Sequence, residues 1–538
     1  MYSLAFNNIH DSDTAQYCKQ ISDQYSDEIK HPGYLAYVSN GYEDFGITPI
    51  YSLKDLSLTQ IAKFYTKFSV DGVYLPLDIN RHDLSSAFSK DVQNNIEKYT
   101  LGIDKLVNAP IPMINDWLTG LFGYLQNHKS FDHEDEIFHT IYKIFNEEFW
   151  NDYDTIQSKL SLHCWIIDYS LMLIDQYLLL RKTSISAETL QSIKDILMLI
   201  YQKYNDDLDK PWDGQPASIF RQEKRMIYTG LIMVTFISAK KEGKLVNGRW
   251  HEDIKRIIET DMELHENPAL FYAIANHYGE IAYIDQSWLK DHLQIIFAKT
   301  NPRNCEAALL GYHQNSPFFS KTILDFMFDN EVYHDYLSQA ENQDTFLARN
   351  IVDTILDAIA RGLIGDQALE ILIKTNSTSI YQNIIQYTQH YQNNKGVSEF
   401  ISRLWNTMYS KCKDAKNEAE ISFLKFSYKL IGFFESISEE QELMLQVSIK
   451  HAINDNNSWG VIEALYPFLH QSTAAVGRLI SYLIENSHGS YHNPKLKGIV
   501  EYLYSNGQQE SADKICNECA KRKDFSLKPL YDRYNPLA

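Results

Sequence analysis

"DTFLARNIVDTILDAIARGLIGDQALEILI", residues 344–373, decides the fold class. Phe346, Leu347, Ile351, Ile355, Ile359 and Leu363 recur at the three-to-four-residue period of one α-helix face. Gly362 stands where such a helix stops, because a C-terminal cap needs a positive φ that glycine adopts without strain. Asp366 is a good N-cap for a second helix, "QALEILI", since its carboxylate can accept an unpaired first-turn N–H. The implied unit is two helices joined by a short turn.

The same unit recurs toward the C-terminus. "SIYQNIIQYTQHYQ" (379–392) is followed by "VSEFISRLWNTMYSKC" (397–412), and "AEISFLKFSYKLIGFFESI" (419–437) by "QELMLQVSIKHAI" (441–453). "WGVIEALYPFLH" (459–470) then leads to "TAAVGRLISYLIEN" (473–486). The last pair, "GIVEYLYSNGQQESADKICNECAKRK" (498–523), carries small Ala512 and Ala520 on its second helix, as a tetratricopeptide hairpin does. No stretch of strand-like alternation exceeds a few residues. The expected fold is all-α, an irregular α-solenoid of stacked antiparallel helical hairpins, tetratricopeptide- or HEAT-like, without a strict period.

Composition agrees with a folded helical chain. Only 22 glycines and 14 prolines occur in 538 residues, while hydrophobic residues make up 44%. Lys plus Arg is 50 against 70 Asp plus Glu, a balance of −20 that repels phosphate backbones. The densest basic cluster, Lys521, Arg522 and Lys523, reads as a solvated helix end, so nucleic acid is not an expected ligand. Cys18, Cys164, Cys305, Cys412, Cys516 and Cys519 are scattered as in a reducing compartment, and "MYSLAFNNIHDSDTAQ" has no signal-peptide pattern. A cytoplasmic protein is expected.

"LHCWIIDYSLMLIDQYLLLR" (162–181) has the length of a membrane span, but Asp168 and Asp175 interrupt it two turns apart. They share one stripe with Ser161 and Lys182. The expectation is a layer helix with a narrow wet edge and no membrane contact.

The partition drawn from polar, proline-bearing segments is an irregular N-terminal segment at 1–50 and a first run of helical repeats at 51–204. A linker or insert with one helix follows at 205–253, then a second run at 254–340 and the C-terminal hairpins at 341–538.

Motifs for chemistry are sparse. "GYLQNHKS" (123–130) has phosphate-loop spacing, but His128 replaces the second glycine and no strand precedes it. No catalytic residue and no cofactor is assigned. For metal, His488 and His492 with Cys516 and Cys519 form the one candidate, two histidines and two cysteines that could close a tetrahedral structural zinc site. Buried thiols and a histidine-bearing loop explain the same residues without a metal. Aromatics reach 13% of the chain, beyond what a helical core requires, so a tyrosine-rich face could bind a protein. An acidic chain favours a partner with a basic patch.

Three stretches in order carry a resemblance: "YSLKDLSLTQIAKFYTKF" (51–68), "AFSKDVQNNIEKYTLGIDKLVNAPIPMINDWLTGL" (87–121) and "ENPALFYAIANHYGEIAYIDQSWLKDHLQIIFAKTNPRNCEAALLGYHQNSPFFSKTILDFMF" (266–328). Their points of likeness are the "LKDLS" opening, the "DW" pair, "DQSW" and "ALLGY". This succession resembles the C-terminal helical region of bacterial antiviral STAND NTPases and of related defence proteins with a sirtuin-like or other effector. The resemblance implies a sensor that grips a phage protein, beside an NTPase and an effector module that assemble with it. This chain departs from that pattern, since no phosphate loop or effector precedes the helices, and "PWDGQPASIF" (211–220) interrupts them.

The leading expectation is therefore a non-enzymatic protein-recognition scaffold. The alternatives are an α/α-toroid hydrolase acting on carbohydrate, with Trp212 and Asp213 or Asp116 and Trp117 as acid, base or sugar-stacking residues, and a structural adaptor in a larger complex. Short turns favour the scaffold, because long loops usually carry a toroid's chemistry.

Overall fold

The computed structural model describes residues 53, 56–68, 79–100, 103–128, 130–155, 162–181, 184–204, 223–241, 248–264, 266–314, 320–342, 345–389, 397–453, 458–487 and 493–536. Among these the chain is all-α, with no strand. The helices begin with α1 (Leu58–Phe68), α2 (Ile79–Asn94), α3 (Ile111–Asn127), α4 (Glu134–Ile144), α5 (Glu147–Thr155), α6 (Leu162–Leu180) and α7 (Ala187–Tyr204). They continue with α8 (Glu223–Lys241), α9 (Glu252–Met262), α10 (Pro268–Asn276), α11 (Tyr278–Ile296), α12 (Pro302–Gln314), α13 (Lys321–Asp329) and α14 (Val332–Ser338). Next come α15 (Phe346–Ala360), α16 (Leu369–Thr375), α17 (Thr378–Gln389), α18 (Ser398–Cys412), α19 (Glu418–Ser427) and α20 (Glu439–Ala452). The series closes with α21 (Ser458–Leu465), α22 (Thr473–Asn486), α23 (Pro494–Ser505), α24 (Gln509–Lys521) and α25 (Lys528–Tyr534).

Each helix packs mainly on helices one to three places away in this order. One series runs α2, α3, α6, α8, α10, α12, α15, α17, α19, α20, α22 and α24, each packed on the one before. The remaining helices lie alongside: α4 packs on α7, α11 on α13, α14 on α16, and α21 on α23. Buried apolar side chains form one continuous cluster from Leu53 to Leu530.

Residues 344–373 show which local rules held. Thr345 caps α15 by accepting the Ala348 N–H at 3.0 Å. Gly362 adopts φ +69°, and the N–H groups of Gly362 and Leu363 reach the carbonyls of Ile359 and Ala358, both at 2.9 Å. Two expectations need correction. Phe346 is 51% exposed, one position outside the buried face. Asp366 caps no α-helix: it opens the 3₁₀ turn Asp366–Ala368, and its carboxylate instead accepts from Arg403 Nε at 2.9 Å.

No described helix is long and apolar enough to cross a membrane. Asp168 and Asp175 lie on the half-exposed stripe of α6, where Asp175 also pairs with Arg225 of α8 at 3.4 Å, while Ser161 and Lys182 lie outside the described residues. Helix α8, expected as a helix inside a linker, is buried along most of its length and packs on α6, α7, α10 and α11.

Hydrogen bonds tie helices to later helices over separations as different as 27 and 60 residues, and several of them fall near 36. Arg303 to Glu266, Asn267 to Asn304 and Arg403 to Asp366 link residues 37 apart, at 2.6 to 2.9 Å. Lys299 to Asp335 and Gln294 to Asn330 are 36 apart, as is the two-pronged bond from Arg478 to Glu442. The Ile437 N–H donates to Ser472 Oγ across 35 residues.

Candidate functional site

The residues singled out from the sequence are mostly occupied by packing. Asp116 accepts a 2.6 Å hydrogen bond from the Tyr65 hydroxyl, and Trp117 is fully buried with its indole N–H directed at the Tyr99 carbonyl, 3.3 Å away. A buried indole cannot stack a sugar, so this pair does not serve the carbohydrate alternative. Trp212 and Asp213 lie outside the described residues.

Two further words of the resemblance have equally local causes. In "DQSW", Asp285 breaks α11 with φ −157° and ψ 94°, and its carboxylate recaps the helix by accepting from the Trp288 N–H at 3.0 Å and the Ser287 hydroxyl at 2.8 Å. The break frees the Ile284 carbonyl for the Arg249 N–H. In "ALLGY", Gly311 lies against the Tyr272 carbonyl, where a Cβ would clash with backbone, so α10 and α12 cross closely.

Cys516 and Cys519 are buried on α24, with the Tyr504 hydroxyl 3.7 Å from Cys516 Sγ and donating to Asp513 at 2.7 Å. Burial pushes both thiols up, Cys519 to about 12. His488 and His492 lie outside the described residues, and among the described residues no three His, Cys, Asp or Glu side chains gather as a metal site.

Two buried polar clusters were not legible in the sequence. Asp261 of α9 accepts from the hydroxyls of Tyr201 at 2.9 Å and Tyr228 at 2.5 Å, and Asn267 Nδ2 donates to Tyr228 at 3.0 Å. Burial, reinforced by the carboxylate, raises both phenols, so they remain donors and clamp α7, α8 and α9 together. His313 of α12 is fully buried, its Nδ1 2.8 Å from Thr354 Oγ1, and desolvation pushes it down to about 3. The parts come from distant positions without a shared spacing, so no linear signal could have found them.

An open concavity arises from a defect in the helices. Residues 419–437 were expected to form one helix, but α19 ends at Ser427 and continues as the 3₁₀ segment Tyr428–Phe433. The cause lies on α20. The buried Ser448 hydroxyl donates to the Leu424 carbonyl at 2.6 Å and accepts the Tyr428 N–H at 2.9 Å, inserting itself where that N–H would have met that carbonyl. Both α18 and α21 pack on this shortened segment, which stands between them.

The resulting cleft encloses about 790 Å³ between the end of α17 at Gln389, the segment 428–435 and α21. Gly460, Ala464, Pro467 and Gln471 form one wall, spaced as a single helical face. Gly460 also admits the Tyr428 hydroxyl, which a Cβ there would obstruct. Gly432 faces open space, with nothing within 4 Å of where its Cβ would be. The Lys429 ammonium lies 5.3 Å from the centre of the Phe426 ring, and no described carboxylate pairs with it. Trp459, on the adjoining face of α21, is 54% exposed. The lining thus combines amides, aromatic surface, the Lys429 cation and the Glu435 carboxylate.

Compared with protein-family models, with curated proteins and with solved structures, the chain matches none.

Proposed function

We propose that the chain is a non-enzymatic recognition scaffold, an irregular α-solenoid of antiparallel hairpins with tetratricopeptide-like character, whose surface captures a protein partner. The observation that supports this is the run of helices in which each packs mainly on helices one to three places away in the chain. In a stack of repeated units, each unit touches its neighbours, leaving long faces open for a partner. Buried carboxylates, phenols and histidines are engaged in packing, which supports binding over chemistry. The balance of −20 favours a partner with a basic patch. The five described cysteines are all free, in keeping with a reducing, cytoplasmic setting.

The more specific role, the sensor of a bacterial antiphage system that grips a phage protein, rests on the resemblance of roughly residues 30–335. Any NTPase or effector activity then belongs to other parts of the assembly.

The test is affinity capture on the immobilised chain from phage-infected and uninfected bacterial extracts, with free chain as competitor. A phage protein retained only from infected extract, and displaced by competitor, is the expected result. No displaceable protein, together with turnover of a glycan panel, would establish the hydrolase instead.

A further inference from the structure

We infer that the cleft beside Tyr428–Phe433 binds one extended peptide segment of the partner, seating a large apolar side chain between Phe434 and Phe468 and holding the peptide backbone through Gln389 and Gln471. This deepens the recognition role and rests on it. The volume, about 790 Å³, falls within the range of roughly 300 to 1,000 Å³ typical of ligand sites. The cleft is open along one side, which suits a chain that enters and leaves better than an enclosed metabolite.

The lining chemistry selects the occupant. An extended peptide presents unpaired N–H and C=O groups, and a glutamine amide both donates and accepts, so two of them can satisfy such a backbone without fixing its sequence. Phe434 is half-buried and braced by Trp405, with ring centres 6.0 Å apart, while Phe468 and Pro467 lie across the gap. These rings give an anchor side chain a preformed apolar seat. The Lys429 ammonium shares the lining with the Glu435 carboxylate, so the cleft carries no net positive charge to hold a nucleotide or other phosphate ligand.

The probe is a displayed library of random seven-residue peptides selected on the full chain. Selected peptides are then titrated against the wild type, Gly432→Trp, and the double variant Gln389→Ala, Gln471→Ala. Nothing lies within 4 Å of a Cβ at Gly432, so a tryptophan there starts out into the open side of the cleft. The double variant changes only amides, and so remains informative if the tryptophan perturbs folding.

The expected result is peptides sharing one aromatic or long aliphatic position, with affinity reduced about tenfold or more by Gly432→Trp and also reduced by the double variant. An empty selection, or peptides that bind both variants as tightly as the wild type, overturns the inference. Either outcome leaves the scaffold standing if a partner is still captured from extracts, whereas failure of that capture removes the scaffold itself.

Discussion

Gly279 and Gly311 are both helical glycines, yet their surroundings give them opposite roles. Nothing lies within 4 Å of a Cβ at Gly279, so Gly279→Ala should stabilise the fold by about 0.5 to 1 kcal/mol through helix propensity. A Cβ at Gly311 would strike the Tyr272 carbonyl, which is backbone and cannot rotate away, so Gly311→Ala should cost about 1 to 3 kcal/mol. Urea unfolding midpoints of the two variants check the contrast, and equal shifts would refute the close crossing. The word "ALLGY" was visible in the sequence, but its meaning depends on Tyr272, 39 positions away in the chain. His313 supplies a pH signature at the same scale. Its folded pKa, about 3, lies below the ordinary histidine value near 6.5, so the unfolded chain binds the extra proton first. The contribution is therefore full above about pH 6.5 and falls as pH drops toward 3, by about 2 kcal/mol at pH 5. Denaturant unfolding at pH 7 and pH 5 should show a steeper loss for the wild type than for His313→Gln, and parallel losses would exclude this assignment.

Helix existence was legible because the apolar period of 344–373 and its relatives repeats without interruption; helix ends were legible only where the cap is local. Gly362 terminates α15 through its own φ, as its sequence position implies. The end of α19 is different, since "FLKFSYKLIGFF" continues the helical pattern and the interruption comes from Ser448 on another helix. Ser448→Ala removes the inserted hydroxyl, restores the direct route from the Tyr428 N–H to the Leu424 carbonyl, and leaves room where the oxygen was. Loss of two buried hydrogen bonds predicts about 1 to 3 kcal/mol of destabilisation before any relaxation. Amide hydrogen exchange should then slow at residues 428–433 if the helix reforms, while protection elsewhere holds. Faster exchange across α19 and α20 together would show that the serine merely fills space.

The succession of helices was legible in the sequence, but which helices pack together was not. Hydrogen bonds between helices pair Arg with Glu, Lys with Asp, Asn with Asn or Ser with backbone, over separations as different as 27 and 60 residues, so neither residue type nor spacing marks them. One consequence is testable on the whole chain. Helix α24 packs on α22 and α23, and α25 on α23 and α24, so removing residues 487–538 cuts contacts with little beyond α22. The shortened chain should lose helical circular dichroism only in proportion to the deleted helices, and keep native exchange protection through α17. Collapse of protection throughout the chain would point to a ring closed end to end. The cleft itself could not have been found from sequence, because its walls come from α17, the segment after α19, and α21, and its cause from α20.

The shortened segment Tyr428–Phe433 also has a mechanical meaning. In the proposed solenoid, a layer is stiff where two full helices pair, and here the ten-residue α19 is followed by a six-residue 3₁₀ stub. Bending should concentrate there, so that α20 to α25 swing as a lever about a fulcrum beside the cleft. A ligand wedged into that cleft would act as a splint, and distances between spin labels placed on either side would narrow in distribution when the peptide binds.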